Sequence, residues 1–269
     1  MADGLTKSQL NRIGERLRKN IATEDDVRRL DEYRISFMPA FQKVFDELTA
    51  MGLRPGGRPQ KTTPSIVAKL NREKTRLSTM QDIAGCRVEV PNRFEQDRIT
   101  IELAMRYPGA EVQDRRIKPS HGYRAVHVIV TVEAKPVEIQ IRTELQHNWA
   151  LVTEKLADVI DHQIKYGGGP ADVQELLTQI SQRIAILEQQ EFLQANISDG
   201  YHRGELTVED VEAELLERED GATLVALIRA EGDLDHWLDR VEQILADTRK
   251  ELNTLLKAIA DHYTIDARG

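Results

Sequence analysis

Cysteine is almost missing from this chain: Cys86 is the single copy in 269 residues. That excludes an internal disulfide framework and any zinc site built from several thiolates. Long apolar runs are missing too. None approaches the ~20 residues that a membrane-spanning helix needs, so no membrane partner is expected. The opening stretch, MADGLTKSQLNRIGERLRKN, is polar and holds no apolar segment of a secretory signal, which makes the cytoplasm the default location. No GxSxG elbow, HExxH pair or GxxxxGK[ST] loop occurs, which argues against serine hydrolysis, zincin chemistry and a P-loop. Asp161-His162, Asp235-His236 and Asp261-His262 reverse the His-Asp order of an HD-type hydrolase and read as solvated helix faces.

What is present suits one large globular domain or two modest ones, with 40% hydrophobic and 30% charged residues. The net charge of −8 is unevenly spread. Residues 170–269 hold 22 acids against 9 bases, a balance of −13, which leaves +5 for residues 1–169. Within 54–76 the bases Arg54, Arg58, Lys61, Lys69, Arg72, Lys74 and Arg76 face Glu73 alone. A basic front on an acidic chain points to a polyanion bound at a defined place. A solvated basic loop and helix would look the same by charge alone.

Apolar spacing predicts helix over 5–50, with Leu10, Ile13, Leu17 and Ile21 on one stripe and Tyr33, Phe37, Phe41, Val44, Phe45 and Leu48 on another. MGLRPGGRPQKTTP (51–64) reads as a loop, and 65–73 as a helix capped by Thr63 or Ser65. Residues 83–90 read as a strand and 95–106 as a helix. Residues 125–132 and 136–141 read as a hairpin, and 143–163 as helix again. The GGGP run at 167–170 is the best boundary. The three expected segments are an N-terminal helical part (1–50), a central domain (51–168) and an acidic helical region (170–269). In the last, Val173, Leu177, Ile180, Ile184 and Leu187 form a short heptad run, and Leu238, Val241, Leu245, Leu252, Leu255 and Ile259 a second stripe.

Three segments could carry chemistry. In KPVEIQIRT, Val137, Ile139 and Ile141 alternate with Glu138, Gln140 and Arg142, so one strand face is apolar and the other polar. If the strand that begins at MQDIAGCR lies beside it, Asp82 and Glu138 converge, with Arg87 further along. Two close carboxylates repel unless a cation lies between them, and with a phosphate substrate that cation is Mg²⁺. In HGYRAVHV, Tyr123 stands at a strand entrance and His127 four residues on, placing both on one face. They could stack a base, or could simply cover the core edge. Lys61, Ser65 and Lys69 recur every fourth residue beside a Gly/Pro loop, where a helix N-terminus and lysines attract phosphate.

Together RPQKTTPSIVAKL (58–70), DIAGCR (82–87), GYRAVH (122–127) and VEIQIRTELQHNWALVTEK (137–155) resemble the RelA/SpoT nucleotide pyrophosphotransferase domain in its small stand-alone synthetase form, over roughly residues 50–168. The resemblance implies an α+β fold, a mixed β-sheet flanked by helices and related to nucleotidyltransferases, with helices on either side in the chain. It implies transfer of the β,γ-pyrophosphate of ATP to the 3′-hydroxyl of GDP or GTP, giving the alarmone (p)ppGpp. By resemblance Asp82 and Glu138 hold Mg²⁺, and Glu138 also activates the attacking hydroxyl. Arg58 and Arg87 sandwich adenine, and Lys61, Ser65 and Lys69 hold the ATP phosphates. Tyr123 stacks on guanine, with His127, Gln140, Arg142 and Lys155 lining the acceptor side. Two residues, Pro59 and Gln60, separate Arg58 from Lys61 where the family usually has one, and His121 stands where Asn commonly precedes the glycine. A toxic branch uses the 3′ CCA end of tRNA as acceptor, which stands as the alternative, and an inactive nucleotide-sensing module is the second. With about 50 residues ahead of the core, too few for a hydrolase domain, synthesis alone is expected. The C-terminal helices imply a homo-oligomer, or a surface for an antitoxin or regulator.

Overall fold

A computed structural model describes residues 5–218 and 221–266, with side chains through 264 at the C-terminal end. The chain divides into two compact units. The first comprises residues 1–90, 95–117 and 125–142, the second residues 91–94, 118–124 and 143–269. In chain order the elements are α1 (Lys7–Arg18), α2 (Glu24–Ile35), α3 (Met38–Ala50), β1 (Gly56–Arg58), α4 (Thr63–Glu73), β2 (Ala84–Val90), α5 (Arg93–Arg106), β3 (Glu111–Asp114), β4 (Val126–Val132), β5 (Lys135–Thr143), α6 (Glu144–Val159), α7 (Ala171–His202), α8 (Val208–Leu216), α9 (Gly221–Glu231) and α10 (Leu234–Asp266). Short 3-10 turns occupy Leu77–Thr79 and His162–Tyr166.

In the first unit the strands form one mixed sheet in the order β1-β2-β5-β4-β3. Alternation decides which face is core. Ala84, Cys86, Val88 and Val90 of β2 are buried, as are Val137, Ile139 and Ile141 of β5. They pack with Phe37, Val44 and Leu48 of α2–α3, Ile66 and Leu70 of α4, and Ile99 and Leu103 of α5. Each Val, Leu, Ile or Phe among them contributes about 1.5–3 kcal/mol when withdrawn from water. The expected helix over 5–50 is three helices. Thr6 and Thr23 each close a capping box, and Asn20 (φ 54°) ends the first turn of chain between them. Ile21 therefore leaves the stripe that Leu10, Ile13 and Leu17 bury, and is 61% exposed. Arg16 forks onto Asp26, donating from Nε at 2.6 Å, and this pair ties α1 to α2 and holds the Asp26 carboxyl far below its ordinary range.

The β4–β5 hairpin turns on two residues, Glu133 and Ala134, both at positive φ, with Val132 paired to Lys135. The expected Glu133–Lys135 loop is thus one residue shorter, and it lacks the Gly that such a turn favours.

The second unit is helical. Thr143 caps α6 through a box with Gln146, and both donate to the buried Glu188 of α7, the Gln146 bond at 2.9 Å. Burial is the larger influence there and pushes the Glu188 carboxyl up. Trp149 packs with Leu177, Ile184 and Leu187 and donates its indole N–H to the Leu177 carbonyl at 2.8 Å. The heptad run is therefore the inner face of an intramolecular bundle. On α10 the expected stripe packs inward except at one member: Leu255 is 61% exposed, and its neighbour Leu256 is buried instead. A separate core gathers Ile197, Val211, Leu215, Val225, Ile228 and Trp237 from α7–α10. Among the described residues no helix is long and apolar enough to cross a membrane.

Candidate active site

The site in the first unit begins with β1, whose three residues are too few and too exposed to look like a strand in the sequence. Gly57 is there because a Cβ would lie 2.7 Å from the Phe41 ring, so only glycine lets β1 cross α3. Arg58 ends the strand opposite Gly85 of β2, and its Nη2 donates to the Asp82 carbonyl at 3.2 Å. Three residues on, the Lys61 amide donates to the Ile83 carbonyl at 2.7 Å, which pins this backbone beside Asp82. Thr62, one residue ahead of the expected cap, starts α4: its hydroxyl accepts from the Ser65 amide and donates to Ser65 Oγ at 2.8 Å. Lys69 follows one turn further along the helix.

These elements converge on Asp82, which is 8% exposed. Lys61 Nζ lies 2.6 Å from its Oδ2 and Lys69 Nζ 3.0 Å from its Oδ1. Burial by itself would raise the pKa of Asp82. The two lysines outweigh it by charge and hydrogen bonding, and the carboxyl falls to about 2.

On the neighbouring strand β5 the polar face forms a ladder. His127 Nδ1 of β4 meets Glu138 Oε1 at 2.8 Å. Gln140 Nε2 donates to Glu138 Oε2 at 2.8 Å, and Arg142 Nη2 donates to Gln140 Oε1 at 2.9 Å. Register explains the order, since His127 pairs with Gln140 directly across the strands. Burial pushes the Glu138 carboxyl up, but His127 and Gln140 prevail and hold it below its ordinary value, against a repulsion from Asp82. The two acids thus feel each other: Asp82 stands two residues ahead of β2, whose backbone meets that of β5 closely at Gly85. A Cβ there would sit 2.9 Å from the Glu138 carbonyl oxygen. Arg87, two residues beyond Gly85, lies on the same polar face of β2.

Gly85 and Gln96 are the site-forming residues that the sequence reading missed. A glycine inside a strand pattern is the signal for the first. Gln96 gave none. It is a fully buried α5 amide whose Nε2 donates to the Ile141 carbonyl at 2.8 Å while Arg116 donates to its Oε1 at 3.1 Å.

Tyr123 and Lys155 belong to the second unit. Tyr123 does not lie on a strand face with His127, because β4 starts only at Val126 and Tyr123 closes a turn, its amide donating to the Ser120 carbonyl at 2.9 Å. The turn places His121 at φ 51° and Gly122 at φ 84°. A left-handed position tolerates Asn or His, which explains the residue found at 121. Three contacts seat it. Ser181 Oγ donates to the Gly122 carbonyl at 2.5 Å, the Trp149 ring leaves no room for a Cβ at Gly122, and the His121 ring lies where a Cβ of Gly167 would be. Tyr123 packs at the edge of the Trp149 core, and Lys155 lies on α6.

With this geometry in place, residues 57–169 match the family model described as the region found in RelA/SpoT proteins. That stretch, 113 of the 269 residues, is similar to a RelA/SpoT region. A protein of Mycobacterium tuberculosis (strain H37Rv) and one of Mycobacterium bovis, neither with an assigned function, are each 41% identical over 131 residues, covering 44% of this chain. The chain spans about half the length of these curated relatives, 48%. The crystal structure of small alarmone synthetase 1 from Bacillus subtilis bound to its product pppGpp superposes with a TM-score of 0.52, at 21% identity, over 64% of this chain and 99% of that one. Another crystal structure of that synthetase gives 0.50 at 22% identity, over 63% and 98%. The chain therefore shares the fold of the small synthetases, as the sequence pattern predicts.

Proposed function

We propose that the chain transfers the β,γ-pyrophosphate of ATP to the 3′-hydroxyl of GDP or GTP, releasing AMP. The observation that supports this most is the convergence of Lys61 and Lys69 on Asp82, beside an ionised Glu138 on the next strand. Two ammonium groups over a buried anion form a cradle that a triphosphate can enter by offering its own oxygens.

In the proposed reaction the acceptor oxygen attacks the β-phosphorus. The new O–P bond forms as the bond from that phosphorus to the α,β-bridging oxygen breaks, and AMP departs with the electron pair. Glu138 is ionised, so it accepts the hydrogen bond of the attacking hydroxyl and draws its proton. His127 and Gln140 fix the orientation of that carboxylate. Lys61 and Lys69 offset charge on the phosphate oxygens, and Arg58 and Arg87 sandwich the adenine. Asp82 and Glu138 are hard oxygen donors, both held ionised, which fits Mg²⁺. Among the described residues no group of three or more His, Cys, Asp or Glu side chains would suit a metal bound by protein ligands alone. When bound there, Mg²⁺ would supply charge neutralisation on the transferred group.

The test is incubation with γ-³²P-ATP and Mg²⁺, with GDP, GTP or deacylated tRNA in parallel. Label on the guanine nucleotide together with AMP release is expected. Label on tRNA alone would replace the acceptor, and neither label nor AMP anywhere would leave a nucleotide-sensing module.

A further inference from the structure

A second cationic recess lies wholly within the first unit, between α1 and the turn Leu77–Thr79, with a volume of about 470 Å³. Arg12, Arg18 and Arg76 line it, with the neutral polar groups of Ser8, Asn11 and Thr75. Its floor is built by Gly14. A Cβ there would lie 2.9 Å from Leu77 Cβ, so the glycine lets the turn settle directly on α1 and brings Arg76 into the same recess as Arg12. The acid on its rim, Glu15, is engaged by Arg18 at 2.6 Å. Elsewhere on these helices Arg16, Arg28, Arg29 and Arg34 are each ion-paired. Arg12 and Arg76 make no ion pair among the described residues. Two guanidinium groups without an ion pair thus line one recess, and guanidinium matches phosphate in a two-pronged hydrogen-bonded pair.

We propose that this recess is a second ligand site, which takes a small molecule bearing a chain of at least two phosphates. Its volume suits a nucleotide-sized ligand.

The experiment attaches an environment-sensitive fluorophore at Ser8→Cys. The native thiol does not compete, because Cys86 is buried and burial pushes its pKa up to about 12. The labelled full chain is titrated with inorganic tripolyphosphate at fixed ionic strength. A saturable change is expected that weakens at least tenfold in R12A/R76A and persists in K69A, whose lesion lies in the proposed catalytic cradle. Arg12 and Arg76 are exposed, so the double variant keeps its fold, and R76A alone provides a second reading. An absent saturable response, or equal affinity in the arginine variants, overturns the proposal. ATP binding more tightly than tripolyphosphate with the same arginine dependence identifies a nucleotide, and equal binding identifies the phosphate chain. Tighter arginine-dependent binding of single-stranded RNA overturns the small-ligand reading.

Discussion

Replacing Lys61 with Met keeps most of the side-chain volume and removes the ammonium 2.6 Å from Asp82. The shift of Asp82 from 3.8 to about 2 corresponds to roughly 2–3 kcal/mol of stabilisation. Since the folded-state value lies below the unfolded one, this contribution is complete above 3.8 and is lost as the pH falls through about 2. Breaking a buried pair by removing one member costs about 3–5 kcal/mol, because the survivor keeps its desolvation penalty. Lys69 stays 3.0 Å away and softens that cost, so K61M should lose about 2–3 kcal/mol near pH 7. Urea unfolding should be followed by far-UV circular dichroism, because Trp149 and Trp237 both lie in the second unit and report poorly on Asp82. The variant's carboxyl titrates at a higher pH than the native one, so the gap between the two proteins should narrow as acid is added. A loss below about 0.5 kcal/mol that stays flat with pH would refute Lys61 as the buried counterion, since that is the scale of an exposed pair.

Three further outcomes follow from the same geometry. Glu138→Gln should abolish pyrophosphate transfer while nucleotide affinity, measured by calorimetry, changes by less than about threefold; unchanged turnover would remove Glu138 from the chemistry. Gly85→Ala should cost about 1–3 kcal/mol, read as a fall in melting temperature, because the added methyl meets the Glu138 carbonyl and the strands must part. Gln96→Leu leaves the Ile141 carbonyl and an Arg116 N–H short of a partner, so urea melts should show a loss of about 1–3 kcal/mol. A neutral effect there would mean that water replaces the amide.

The sequence displayed the half of the site that rests on periodicity. Glu138, Gln140 and Arg142 alternate with Val137, Ile139 and Ile141, and a period of two can only place them on one face. It displayed Asp82, Lys61 and Lys69 as candidates without their meeting. The meeting depends on Lys61 pairing its backbone with Ile83, and β1 looks like a turn when only its glycines are read. β3 escaped for a similar reason: Glu111–Asp114 has four residues without a buried apolar alternation, and its order comes from pairing with β4. Tyr123 misled in a different way. Residues four apart share a face only if the whole stretch between them lies in the strand, and the positive φ at His121 and Gly122 shows that this part of the chain is still turning. On α10 the stripe erred by one position because Leu255 and Leu256 are adjacent, and spacing alone cannot say which of two leucines a partner helix selects.

The glycine run at 167–169 shows how easily small residues are taken for slack. Gly167 is a socket into which the His121 ring fits, and that ring belongs to the turn that presents Tyr123. A stretch that looks like a tether is a mould for the part resting on it. Lengthening or stiffening it, as a linker would tolerate, would therefore be felt first at an aromatic ring more than forty positions earlier in the chain.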